Sequence, residues 1–108
     1  MIDSTAAPRT LDELRAEVHR RLCAREDLLE DQFELTEMPL ARRGRPCGMQ
    51  FCLHGPRSVR LGAVWAADHN VLYLYDARGQ RYEKVKLALR LNGFPTASTP
   101  SSTLADAA

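Results

Sequence analysis

Between Gly48 and Leu87 apolar and polar residues trade places in short runs, and each run ends in Gly, Pro, Asn or Asp. A period of two marks a strand with one wet and one dry face, and connections of a few residues join antiparallel neighbours. The runs are Met49 to His54, Val59 to Trp65, Val71 to Asp76 and Arg81 to Leu87, interrupted at Gly55-Pro56, Asp68-His69-Asn70 and Ala77-Arg78-Gly79. Phe33 to Leu40 alternates more loosely and reads as a further strand, closed by Arg42-Arg43-Gly44-Arg45-Pro46, which has the composition of a flexible turn. Consecutive runs should therefore pair as a meander. The Arg78-Gly79 turn is the firmest hairpin, with Gly79 supplying a positive φ and Asp76 bonding backbone N–H groups.

Upstream, Thr10 can cap a helix, with Glu13 three residues on completing a capping box and Pro8 just before. Leu11, Leu14, Val18, Leu22 and Leu29 then fall within about 80° of arc at 100° per residue, a stripe narrow enough to pack on one neighbour. One amphipathic helix from about Leu11 to Glu30 follows. The expected architecture is α+β: one N-terminal amphipathic helix packed on a four- to five-stranded antiparallel meander sheet.

In a chain of 108 residues this leaves one domain over residues 10–92. Residues 1–9 are expected to be disordered. So is the Ser/Thr/Pro-rich stretch 93–108, which is too poor in apolar residues to offset its ordering entropy. No apolar run approaches the ~18 residues of a membrane span, and Met1 to Pro8 lacks the basic start and apolar stretch of a signal peptide. Three unevenly spaced cysteines make no disulfide framework. The expectation is a cytoplasmic protein that meets no membrane.

The net charge of +1 hides a segregation: residues 1–40 hold ten acids and five bases, whereas residues 41–108 hold four acids and ten bases. Thirteen of the fifteen bases are Arg, which suits bidentate contacts to phosphate or carboxylate. Strand alternation sharpens this. Met49, Phe51 and Leu53 oppose Gln50, Cys52 and His54; Leu61, Ala63 and Trp65 oppose Arg60, Gly62 and Val64; Leu72 and Leu74 oppose Tyr73 and Tyr75; Val85 and Leu87 oppose Tyr82, Lys84 and Lys86. The first set of each belongs under the helix. One helix covers one face, so the other should carry Gln50, Cys52, His54, Arg60, Tyr73, Tyr75, Tyr82, Lys84 and Lys86.

A face that interleaves Tyr with Lys and Arg offers stacking platforms for single-stranded nucleic acid and cations for its phosphates. The same residues suit a protein interface or a second copy of the chain. Tyr is also an ordinary choice for a half-exposed strand. The loop Arg43-Gly44-Arg45-Pro46 resembles the core of the AT-hook, whose two arginines lie extended in the minor groove of A·T-rich DNA. Arg42 stands where Pro usually precedes that core and Cys47-Gly48 where basic residues usually follow, so the resemblance covers four residues. It implies DNA contact by Arg43 and Arg45; an ordinary basic loop is the alternative.

His19 and Cys23, spaced i,i+4 on the helix, and Cys52 and His54 on a strand formally allow zinc, but the two pairs point away from each other, both helical residues lie outside the packed stripe, and no CxxC occurs. No metal or cofactor is expected. For thiol catalysis, Cys52 and His54 are same-face neighbours without an orienting carboxylate, and Cys47 is flanked by cations that favour a thiolate. No phosphate loop or paired-carboxylate pattern is present. The sequence thus points to a small non-catalytic interaction module acting through Arg42, Arg43, Arg45, His54, Arg60, Tyr73, Tyr75, Tyr82, Lys84 and Lys86. Its partner is a protein or a second copy, with single-stranded nucleic acid as the alternative and a thiol-dependent enzyme third.

Overall fold

Thr10 caps the helix as its sequence suggests: its Oγ1 accepts from Glu13 N at 3.1 Å, and Glu13 returns a carboxylate to Arg9 N at 2.8 Å. In the computed structural model, which describes residues 2–91, this cap opens α1 (Leu11–Arg25). The helix ends a turn and a half before the expected Glu30. Asp27 takes a left-handed φ of 56°, and Leu28 N bonds Cys23 O at 2.8 Å while Asp27 N reaches Ala24 O at 3.3 Å. That pair of bonds is the Schellman stop, here built on Asp rather than Gly. The chain reverses there, so Leu28 packs on the core and Leu29 stays 60% exposed. Leu29 therefore leaves the expected stripe.

Six strands follow the order β1-β6-β5-β4-β3-β2, with β1 (Ile2–Ala6), β2 (Glu34–Arg42), β3 (Arg45–His54), β4 (Arg60–Ala66), β5 (Val71–Tyr75) and β6 (Arg81–Leu87). From β2 to β6 the sheet is the expected antiparallel meander. It departs from expectation at its other edge, where β1 adds a sixth strand parallel to β6. The expected disorder of residues 1–9 thus fails over Ile2–Ala6. Few apolar contacts hold this strand, and polar bonds do the rest. Ser4 Oγ donates to Glu83 Oε2 at 2.6 Å, Arg21 Nη1 donates to the same oxygen at 2.8 Å, and Ala88 N donates to Ala6 O at 2.8 Å. The expectation for residues 93–108 lies outside the described residues.

The core lies between α1 and one face of the sheet. Leu14, Val18, Leu22 and Cys23 meet Phe51, Leu53, Leu61, Ala63, Trp65, Leu72, Leu74 and Val85, all essentially inaccessible to solvent. Fully burying each larger aliphatic or aromatic side chain is worth about 1.5–3 kcal/mol, so this layer supplies most of the driving force. Cys23 corrects the helical-wheel reading, which left it outside the stripe: Leu28 and Phe33 beyond the helix pack on the same core. Burial raises its thiol pKa, with the Glu30 carboxylate adding to the effect. Its helical neighbour His19 turns instead to Phe33 O, 2.8 Å from Nε2.

Gly48 permits a close approach of β3 to β4. A Cβ there would sit 2.0 Å from the Trp65 carbonyl oxygen. At the same end of β4, Asn70 closes the β4–β5 turn at a left-handed φ of 55° and is buried. Its amide accepts from Trp65 Nε1 at 3.1 Å and donates to Leu87 O at 3.3 Å and Leu89 O at 2.8 Å. The Arg78-Gly79 hairpin forms as read: Gly79 has φ 81°, and Asp76 Oδ1 accepts from Arg78 N and Gln80 N at 2.9 and 3.0 Å.

Candidate interaction face and arginine cluster

The sheet face opposite α1 bears no helix or strand among the described residues. Register places its side chains in rows. Asp3, Lys84, Tyr73, Val64, Gln50 and Met38 form one row across all six strands, and Tyr75, Gly62, Cys52 and Thr36 form the next. Arg60 and His54 pair at the far end of β4 and β3, with Glu34 beyond them. Of the nine residues assigned to this face from sequence, Gln50, Cys52, His54, Arg60, Tyr73, Tyr75, Lys84 and Lys86 share it.

Tyr82 does not. The register of β5 against β6 slips between Leu74, paired with Glu83, and Tyr75, paired with Arg81, so Tyr82 is an extra residue in a bulge. A bulge turns adjacent side chains to the same side, and here Tyr82 and Glu83 both face the helix. The Arg25 guanidinium lies 4.3 Å from the Tyr82 ring centroid, and the ring packs on the core. Burial of the phenol, reinforced by the Glu83 carboxylate, pushes its pKa up to about 12. Its hydroxyl is buried and unpartnered among the described residues.

The same slip brings Arg81 to the open face, where strict alternation would have put it under the helix. Its guanidinium carbon lies 4.0 Å from the Tyr73 centroid and 5.5 Å from that of Tyr75, and Nη2 donates to Tyr75 Oη at 3.0 Å. Arg81 thus caps both rings. Beside them Gly62, flanked by Cys52 and Tyr75, leaves a depression of about 360 Å³ lined by Gln50, Cys52, Arg60, Val64 and Tyr75. A Cβ at Gly62 would meet only the Phe51 carbonyl, at 3.7 Å, so this glycine is not demanded by packing. The His54 imidazole, considered from sequence beside Cys52, shares a 2.9 Å hydrogen bond between Nε2 and Thr36 Oγ1 on β2.

Arg42, Arg43 and Arg45 lie apart from this groove, at the β2–β3 hairpin. Arg42 pairs with Arg45, and the two residues between them, Arg43 and Gly44, have φ of 54° and 79°. Two positive φ values in a two-residue loop mark a tight type I′ turn. The loop is therefore neither the flexible turn nor the extended Arg-Gly-Arg of the AT-hook resemblance, because the chain folds back through Arg43-Gly44. A second bulge, at Cys47, lets Cys47 O accept from Ala67 N at 3.0 Å, which ties the hairpin to the β4–β5 turn.

No protein-family model, curated protein or solved structure matches this chain. The site must be read from its own chemistry. Among the described residues no helix is long and apolar enough to cross a membrane, and no three His, Cys, Asp or Glu side chains converge as metal ligands. Sequence reasoning missed Arg81 and the Gly62 depression. The depression was legible as a Gly in the middle of a strand; the turn of Arg81 depended on a bulge that leaves no mark in alternation.

Proposed function

We propose that the chain is a non-catalytic protein-docking module whose open sheet face receives an apolar side chain of an acidic partner in the depression over Gly62. The observation that carries this reading is the groove itself: a side-chain-sized hollow between Cys52, Val64 and Tyr75. Arg60 and the Asp76 carboxylate rim it, and Arg81 and Lys84 stand on the neighbouring strand. A mainly apolar hollow with three cations against one carboxylate, Asp76, at and beside its rim has the arrangement of an interface with a desolvated anchor and a charged rim. Face-to-face self-association ranks lower, because a second copy would bring the same cations against Arg60, Arg81 and Lys84.

Single-stranded nucleic acid is the weaker reading on two counts. Tyr82 is withdrawn to the helix side, and Arg81 already occupies the faces of Tyr73 and Tyr75 on which bases would stack. Selection from a randomised peptide library on the immobilised protein tests the proposal. Enriched peptides should combine Asp or Glu with one large apolar residue, and Gly62→Leu should abolish their binding while keeping the parent melting temperature. Enrichment without acidic residues, or full binding to the Gly62→Leu protein, would overturn it.

A further inference from the structure

At the opposite end of the sheet the Arg-rich hairpin borders a second, separate space that is open to solvent on one side. Arg42, Arg43, Arg45, Cys47 and Asp68 line a cavity of about 600 Å³ between the β2–β3 hairpin and the β4–β5 turn, within the size range of small-ligand sites. Its walls are built rather than incidental. The Cys47 O bond to Ala67 N fixes the two turns side by side, and Arg90 clamps the second turn by donating to Ala67 O at 2.6 Å and Asp68 O at 3.3 Å. Trp65, Asn70 and the Leu87 and Leu89 carbonyls brace it from beneath.

Among the described residues the cations facing this space have no ion-pair partner. The ion pairs among the described residues use Arg15, Arg20 and Arg21, whereas none uses Arg42, Arg43 or Arg45. Three guanidinium groups therefore stand against one carboxylate, Asp68. Arg43 also sits at a position where its type is disfavoured: φ of 54° suits Gly, Asn or Asp, and a bulkier residue there stores strain. Strain kept at a turn whose side chain lines a cavity is what a binding role would retain.

The geometry points to a phosphoryl-binding site in this cavity, in which Arg42, Arg43 and Arg45 grip a small, multiply charged phosphorylated molecule. Planar guanidinium forks match phosphate oxygens in pairs of parallel hydrogen bonds, and three of them answer more than one negative charge. A small molecule is favoured over a nucleic-acid backbone because the space is bounded by two turns and the Arg-Gly-Arg step is folded back. This site does not depend on the docking proposal. The Gly62 groove can fail while the cavity binds, and the reverse.

The test is an amide-resolved titration of the whole chain with pyrophosphate at low salt, paired with the alkylation rate of Cys47. Saturable shifts confined to residues 42–47 and 67–68, with slower Cys47 alkylation, are expected. Arg43→Asn with Arg45→Gln should weaken binding roughly tenfold or more, through the loss of two charge-assisted contacts. The Asn also relieves the turn, so the hairpin should be no less stable. Asp68→Asn, which removes the opposing charge, should tighten binding. Shifts spread over Arg60, Lys84 and Lys86, no saturation at millimolar pyrophosphate, or an unaffected double variant would overturn the site. An oligonucleotide that binds residues 42–47 more tightly than pyrophosphate would overturn the small-molecule assignment.

Discussion

Replacing Asn70 by alanine removes three side-chain hydrogen bonds at once from a residue that is only 7% exposed. Each such bond contributes a net ~0.5–1.5 kcal/mol, and leaving buried carbonyls without donors pushes the sum to the upper part of that range. Alanine also inherits the φ of 55°, a left-handed conformation that costs a residue with a Cβ about 1 kcal/mol or more. The total loss is about 3–5 kcal/mol. In a domain of this size each kcal/mol moves the melting temperature by roughly 4–8 °C, so Asn70→Ala should melt more than 10 °C below the parent. Asn70→Gly loses the same three bonds without the Cβ penalty and should recover about 1 kcal/mol of the deficit. Thermal melts followed by circular dichroism read both. Equal melting of the two variants would refute the backbone argument, and a fall of under 3 °C in both would refute the hydrogen-bond network.

Gly48→Ala places a Cβ 2.0 Å from the Trp65 carbonyl oxygen and should cost about 1–3 kcal/mol through forced separation of β3 and β4, whereas Gly62→Ala should be tolerated; chemical denaturation of the pair decides, and equal effects would contradict the register. Tyr82→Phe removes an orphaned buried hydroxyl and should leave stability unchanged or slightly raised near neutral pH. Because the fold lifts the phenol pKa from 10 to about 12, the neutral form is favoured in the native state. That contribution is complete below pH 10 and is lost as pH rises towards 12. Alkaline unfolding of the parent should therefore begin at lower pH than that of Tyr82→Phe, and coincident transitions would refute the assignment. Arg15 bonds the Glu37 carboxylate from across the helix–sheet seam and holds its pKa below the usual range, so this contribution fades as pH falls through the folded value; Glu37→Gln should flatten the acid limb of the stability profile.

The meander, the helix start, the Arg78-Gly79 turn and the buried set from Met49 to Leu87 were all legible, because each rests on alternation or on turn chemistry local to a few residues. What alternation could not convey was the pair of bulges. The one at Tyr82 exchanged Tyr82 for Arg81 on the open face, and the one at Cys47 joined the arginine hairpin to the β4–β5 turn. Strand β1 escaped for a different reason. Ile2, Ser4 and Ala6 bury little apolar area, and the strand is held by Glu83 and Arg21, whose proximity is a property of the tertiary fold. The helix end was misjudged because Asp27, not a glycine, takes the left-handed stop.

The central claim is that the open face docks protein through the hollow over Gly62. An amide-resolved titration of the labelled protein, run in parallel with a selected acidic peptide and with a mixed single-stranded RNA and DNA pool, tests it most directly. The account predicts saturable peptide shifts at Cys52, Gly62, Val64 and Tyr75 that vanish in Gly62→Leu, with weak response to nucleic acid on that face. Salt-sensitive nucleic-acid shifts across Arg60, Tyr73, Tyr75, Lys84 and Lys86, with none from the peptide, would contradict it.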